Sequence, residues 1–313
     1  MSTKKNSASA QQSSKIERVG FLGLGIMGSA MAENLIKAGF EVFGFDPAPK
    51  ARQYLKSIGG KPCRDANEVL QSVQVVITSL PSASALHDCA QILSKCGRKG
   101  LLVIETSTLD ARDKETARVL SAKGGVILLD CPLSGTGAQA KRKDLTVYAS
   151  GPKVHIRRVV PVFEGFSKAH FDLGAFGNGM KMKLMANLLV AIHNVSTAEA
   201  LLLGQRWGIS PRKAVEVLSD GAGGSRMLQV RGPLMENEGW KEVTMKIAVW
   251  QKDMHLISQA LAEAQVAAPL FAATVPIYNA AMGMGHAAHD TAAVFDVLSR
   301  MCSTPTNTVS NKR

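Results

Sequence analysis

One lysine and two asparagines stand in the most apolar stretch of this chain. Residues 177–206 read GNGMKMKLMANLLVAIHNVSTAEALLLGQR. Apolar positions there fall on every side, the pattern of a buried helix rather than a surface one. Lys183, Asn187 and Asn194 are spaced i, i+4 and i+11 and so share one face of that helix. An unpartnered buried ammonium costs on the order of several kcal/mol, so a lysine is rarely kept there without a use. A free lysine titrates near about 10.4. Desolvation on an apolar helix, with cations or donors nearby, would bring it toward the range in which it exchanges protons near neutral pH. The alternative is a lysine that lays its stem along the packing and reaches water with its head. Gly177 and Gly179 precede the first turn and suit a tight entry or close approach to a ligand. The expectation is a central helix that carries a lysine into a cleft.

A second constellation lies near the start of the chain. Val19, Phe21 and Leu22 form a short apolar strand, followed by Gly23-Leu24-Gly25-Ile26-Met27-Gly28 and a helical pattern through Ala38. Gly39 ends that helix, and residues 41–45 form a second strand that closes on Asp46. In this order the three glycines serve a tight turn, close approach of backbone to a pyrophosphate, and close helix packing. The N–H groups of Ile26 and Met27 open the helix and can receive phosphate. The carboxylate of Asp46 can accept hydrogen bonds from the adenosine ribose and repels a 2′-phosphate, which favours NAD. Lys50 and Arg52 keep NADP as the lesser alternative. The duller readings are a glycine turn in a fold without nucleotide, and an Asp46 that only prepares the turn at Pro47.

The elements that must position these residues alternate. Residues 73–79, 101–105 and 126–130 read as strands that end in Leu80-Pro81, Thr106-Ser107-Thr108 and Cys131-Pro132. A helix is predicted over about 110–123, further strands over 145–149 and 168–173, and a helix near 154–165. Strands interleaved with helices predict a mostly parallel sheet. Ligands of such sheets bind beyond the carboxyl ends of the strands, where Leu80, Pro81, Thr108 and Ser134 lie. After Gly177 the strand signals stop, and helices are predicted at 211–219, 226–237, 245–264, 269–282 and 290–299. Pro211 after Ser210 is a capped helix start. The fold class is an α/β Rossmann-type doubly wound sheet followed by an all-α helical domain, joined through the long interdomain helix. The expected division is a disordered tail over 1–15, a nucleotide-binding domain over 16–177, a helical substrate and dimerisation domain over 178–302, and a polar tail over 303–313.

Bulk composition narrows the function classes. The 313 residues are 46% hydrophobic and 20% charged, as in soluble globular proteins. The net charge of +12 invites an acidic partner, either nucleic acid or small anions. With 5% aromatic residues and no nucleic-acid motif, nucleic acid is the disfavoured partner. No apolar run is read as a membrane span, and residues 1–15 lack the apolar core of a secretory signal. Five scattered cysteines without a CxxC pair suggest reduced thiols and a cytoplasmic protein. His286 and His289 have a metal-like spacing but no carboxylate or cysteine of suitable pattern, so no metal is expected.

At this point the chain resembles the β-hydroxyacid dehydrogenases, the family of 3-hydroxyisobutyrate dehydrogenase and tartronate semialdehyde reductase, over about residues 18–300. Gly23 to Gly28 with Met31-Ala32 and Asn34-Leu35 is similar to the family's N-terminal signature. Asp130-Cys131-Pro132-Leu133-Ser134-Gly135 is similar to its substrate loop. Gly177-Asn178-Gly179 with Lys183 and Asn187 is similar to its catalytic-lysine motif, and Lys252-Asp253-Met254 to a motif of its second domain. Residues 221–228 and 283–286 look most like the L-threonate dehydrogenase branch. The resemblance implies NAD-dependent oxidation of a small hydroxy acid, with Lys183 as general acid/base. It implies Asn187 as a positioner of substrate or lysine, and Ser134, Gly135 and Thr136 as the grip on the substrate carboxylate. Leu80, Pro81, Thr108 and Lys252 match cofactor contacts.

The sequence departs from the family pattern in places that bear on substrate. Thr136 stands where a second glycine is usual, Lys141-Arg142-Lys143 replaces a small glycine-containing stretch, and Ala186 replaces the first asparagine of a pair. Ala85 replaces an asparagine near the cofactor, and Arg226 a tryptophan of the threonate-like branch. Ordinary roles also exist for single residues: Ser134 in a turn, Asn187 capping a kink, Lys252 in solvent. Two other function classes stay open. One is a non-catalytic nucleotide-binding module with a basic partner surface, which would have no need of Lys183. The other is an imine reductase, whose relatives usually lack that lysine. An apolar helical domain of this kind predicts a homodimer or homotetramer, with residues 283–299 near the interface.

Overall fold

The computed structural model describes residues 16–302; the tails expected at 1–15 and 303–313 lie outside the described residues. The described chain divides into two compact units, residues 16–135 with 139–180, and residues 136–138 with 181–302.

The first unit is built on β1 (Arg18–Leu22), β2 (Glu41–Phe45), β3 (Lys61–Pro62), β4 (Val75–Thr78), β5 (Leu102–Glu105) and β6 (Ile127–Asp130). These form one parallel sheet in the order β3-β2-β1-β4-β5-β6. The central strands VVIT and LVIE are buried along their whole length, as expected where helices cover both faces. Strand order reverses direction between β1 and β4, and such a switch point opens a crevice at the carboxyl edge. The glycine turn follows β1 and Leu80-Pro81 follows β4, so both lie at that edge.

Two predicted strands do not extend this sheet. Residues 145–149 and 168–173 contain β8 (Thr146–Ala149) and β9 (Ala169–Asp172), which join β7 (Leu133–Ser134) in a separate sheet of order β7-β8-β9. Pro132, which has no N–H for a ladder, separates β6 from β7. An antiparallel bridge links the sheets, with Asp130 N–H donating to the Ser150 carbonyl at 3.0 Å and Ser150 N–H returning at 2.8 Å.

The second unit is helical. Its main helices are Pro211–Ser219, Ile247–Ala264, Pro269–Gly283 and Val294–Met301, packed with the greater part of the long helix Asn178–Arg206. The helix predicted over 226–237 stops at Arg231 and tightens into a 3₁₀ turn, Gly232–Met235, because Pro233 lacks the donor that an α-turn requires. Ala191, Val195, Ala198 and Leu201 of the long helix enter a core with Trp250, Met254, Phe271, Tyr278 and Val294.

The long helix is not buried all round. Met185 and Leu189 are 62% and 51% exposed, whereas Lys183, Asn187, Ala191 and Asn194 are buried. A single chain covers one face and leaves the other to solvent. By length and composition alone this helix is apolar enough to cross a bilayer, a test that the core helix of a packed protein also passes.

Candidate active site

At the carboxyl edge of the first unit, the glycine turn is fixed by close packing. Gly23 has φ +97°, and a Cβ there would stand 2.2 Å from the Ser79 carbonyl oxygen. A Cβ on Gly28 would stand 2.2 Å from the Gly23 carbonyl oxygen. At Gly25 a Cβ would meet nothing within 4 Å. Gly25 is also the N-cap of helix Ile26–Lys37 and gives that helix no side-chain cap. Its first-turn N–H groups are therefore available to an anion that approaches the bare backbone. These residues fit a dinucleotide pyrophosphate.

Asp46 closes the turn from β2. Its carboxylate accepts the Leu24 N–H and the Ala48 N–H, each at 2.8 Å. Arg52 lies beside it, donating to the Asp46 and Pro47 carbonyls and standing 5.6 Å over the Phe45 ring. Across the switch point, Leu80 N–H donates to Ser107 Oγ at 2.9 Å, and Thr106 Oγ1 donates to the Thr78 carbonyl at 2.7 Å. These bonds tie the loop carrying Leu80 and Pro81 to the loop carrying Thr108.

Ser134 ends β7, paired with Thr146 of β8. Gly135 has φ +133°, and a Cβ there would press within 2.6 Å of Leu145 Cδ2. Thr136 opens the short helix Gly137–Lys141. That helix is held from outside: Asn34 Nδ2, buried on the dinucleotide-side helix, donates to the Ala140 carbonyl at 2.7 Å. Lys141, Arg142 and Lys143 are exposed.

The second unit gathers Lys183, Asn187, Lys252 and Asp253. Lys183 is 9% exposed and Asp253 6%. Asn187 Nδ2 donates to Asp253 Oδ2 at 2.9 Å, and Lys252 Nζ stands 3.9 Å from Asp253 Oδ1. Burial lowers the pKa of Lys183; the carboxylate of Asp253 opposes this and the ammonium of Lys252 adds to it. Burial raises the pKa of Asp253, against the pull of Lys183, Lys252 and the Asn187 hydrogen bond. The pair is thus pushed toward neutrality from both sides. A lysine so placed can serve as a free amine at a lower pH than one in water.

The family described as the NAD binding domain of 6-phosphogluconate dehydrogenase matches residues 18–201. The family described as NAD-binding of NADP-dependent 3-hydroxyisobutyrate dehydrogenase matches residues 177–298. A probable 3-hydroxyisobutyrate dehydrogenase of Mycobacterium tuberculosis is 31% identical over 286 residues, 90% of this chain and 97% of the relative. The L-threonate dehydrogenase of Cupriavidus necator is 29% identical, over 89% of this chain and 95% of the relative. Among solved structures, the 3-hydroxyisobutyrate dehydrogenase of Mycobacterium tuberculosis with L-serine superposes with a TM-score of 0.81 at 30% identity. It covers 90% of this chain and 99% of that one. The chain belongs to the β-hydroxyacid dehydrogenase family, in its 3-hydroxyisobutyrate dehydrogenase-like group, and is an NAD(P)-dependent enzyme acting on the CH–OH group of a hydroxy acid.

The glycine turn, Asp46, Leu80, Pro81 and Thr108 are thus gathered at one edge of the first unit, and Lys183, Asn187 and Lys252 in the second. Asn194 has a different part: its Nδ2 donates to the Thr291 carbonyl at 2.9 Å and to Tyr278 at 3.1 Å, deep in the helical core. His286 pairs with His289 at 2.9 Å and with Asp296 at 2.9 Å. Asp296 is a carboxylate partner that the spacing did not reveal. Sequence reasoning also assigned nothing to Asp253, although it is the central acceptor of the lysine site. Nor did it find Lys114, whose side chain is 1% exposed. The signal was there: Lys114 falls in line with Ala117 and Ser121 on the inward face of helix Ala111–Ala122.

Proposed function

We propose that this enzyme oxidises a small hydroxy acid of the 3-hydroxyisobutyrate, threonate or glycerate type, with Lys183 as general acid/base and NAD as the preferred cofactor. The observation that supports it most is the buried Lys183 beside Asp253 and Asn187, with burial lowering its pKa. Bound nicotinamide supplies the hydride acceptor. The Lys183 amine takes the hydroxyl proton in oxidation, and its ammonium returns a proton to the oxygen in reduction. Asn187 and Asp253 hold the amine's surroundings in place. Ser134, Gly135 and Thr136 grip the substrate carboxylate. The proposed NAD preference rests on Asp46 at the end of β2, a carboxylate that would repel a 2′-phosphate.

The test is reduced-cofactor absorbance with NAD+ or NADP+ against 3-hydroxyisobutyrate, glycerate, 3-hydroxypropionate, 4-hydroxybutyrate, threonate and erythronate, with Lys183→Ala as control. Turnover that is larger with NAD+ and falls at least about a hundredfold in the variant is expected. Undiminished turnover in Lys183→Ala would remove the assigned base. Turnover only with NADP+ would remove the role given to Asp46.

A further inference from the structure

We infer that a buried ion triad at the ends of β5 and β6 positions the helix that bears Lys183. The inference rests on the reading of Lys183 as the proton carrier. Lys114 Nζ meets Glu105 Oε2 at 2.7 Å and Asp130 Oδ1 at 2.7 Å, with all three side chains essentially closed to solvent. Burial would lower the pKa of Lys114, but the two carboxylates outweigh it and hold the ammonium above its ordinary value. Two carboxylates against one ammonium leave a negative charge in excess.

That charge is placed at the start of helix Asn178–Arg206. Asp130 Oδ2 accepts the Met180 N–H at 2.8 Å and the Ser150 hydroxyl at 3.0 Å. Ser150 Oγ in turn accepts the Gly179 N–H at 2.9 Å. Two first-turn amides, which an α-helix cannot satisfy internally, are therefore held by the triad and its relay. An anion there also favours the positive end of the helix. Gly179 allows the seating: a Cβ would lie 2.4 Å from the Tyr148 carbonyl oxygen, 2.7 Å from that of Asp130 and 2.9 Å from Asp130 Oδ2. The close approach anticipated at this glycine is thus to the strand ends. Lys183 follows one turn later, about 4.5 Å along the axis at roughly 1.5 Å per residue.

A buried triad adds little stability over apolar residues of the same volume. What it adds here is direction, since Lys114 fixes one oxygen of Asp130 and leaves the other aimed at the helix. A base displaced by about 1 Å can lose roughly a hundredfold in rate, so Lys114, Asp130 and Ser150 are positioning residues for Lys183.

The experiment compares Lys114→Met and Asp130→Asn with the parent enzyme, in steady-state kinetics and in hydrogen exchange of residues 178–183. Asp130→Asn is isosteric and leaves Lys114 balanced by Glu105, so it carries the test alone if Lys114→Met does not fold. The expected result is a kcat lowered about ten- to a hundredfold, an unchanged KM for the cofactor, and faster exchange confined to 178–183. Faster exchange there with unchanged kcat would overturn the inference, as would faster exchange spread evenly through the chain. Full turnover by Lys183→Ala would sink the reading of Lys183 itself, whereas the exchange pattern reports on the anchor whether or not that lysine is the base.

Discussion

At the scale of single residues, Lys183 is set by opposing influences whose signs can be separated. With Lys183 in its proposed role as base, oxidation would need the free amine, so its rate should rise with pH through the pKa of Lys183, which burial has lowered. The carboxylate of Asp253 works the other way and favours the ammonium. Asp253→Asn is therefore expected to move the midpoint of the pH–rate profile for oxidation to lower pH. A midpoint that stays or moves upward would show that Asp253 does not act on the lysine charge. The same depression bears on stability. Between the folded pKa and the unfolded value of about 10.4, the unfolded chain binds more protons, so stability rises with pH across that window. Below the window the buried ammonium is a standing cost. Lys183→Met should then melt higher at neutral pH, each kcal/mol relieved being worth roughly 2–4 °C. The gain should shrink as pH approaches the unfolded value. Thermal melts across that range check it, and a gain that does not vary with pH would mean the charge is not the cause.

At the scale of elements, what the sequence discloses depends on how local the cause is. The strand–glycine turn–helix–strand unit ending at Asp46 is legible because glycine conformation and apolar alternation act over a few residues. The helix of 177–206 is legible for the same reason, and so is the inward placement of Lys183 and Asn187. The division of β6 from β7 is less so, because it depends on the bridge between Asp130 and Ser150. The Lys114–Glu105–Asp130 triad joins three separate elements, and only a lysine on an inward helix stripe hints at it. Asp253 reaches Asn187 from another helix altogether. Gly179 shows how a legible motif can carry an illegible reason: its spacing in GNG is plain, but its neighbours are the Tyr148 and Asp130 carbonyl oxygens. Those are backbone atoms that cannot swing aside. Gly179→Ala should cost about 1–3 kcal/mol, read as a lower denaturation midpoint, whereas Gly25→Ala, whose added Cβ would meet nothing within 4 Å, should leave the midpoint near that of the parent. A Gly179→Ala protein with parent stability would mean that the helix start can shift without strain.

At the scale of the whole molecule, the helical unit carries more apolar surface than one chain covers. Met185, Leu189, Leu203 and Trp207 are 62%, 51%, 50% and 70% exposed along or just beyond the long helix, and Val249 and Leu270 are 53% and 68% exposed. Large exposed apolar side chains in such number mark an interaction surface. The segment 283–299 expected near an interface is a poorer candidate than the outer face of the long helix. Ala292, Ala293, Val294, Val297 and Leu298 are taken up by the unit's own core. A bilayer would also accept an apolar helix of this length, but its opposite face holds Lys183, Asn187 and Asn194 in packed protein. A second copy of the chain is the simpler cover. A stable pair would bury about 1,200–2,000 Å² in total. We therefore predict a homodimer or homotetramer by light scattering at micromolar concentration, with Met185→Glu and Leu189→Glu each weakening association by about 2 kcal/mol or more. A monomeric mass without detergent would exclude the oligomer. Recovery only in the presence of detergent would assign the same face to a membrane instead.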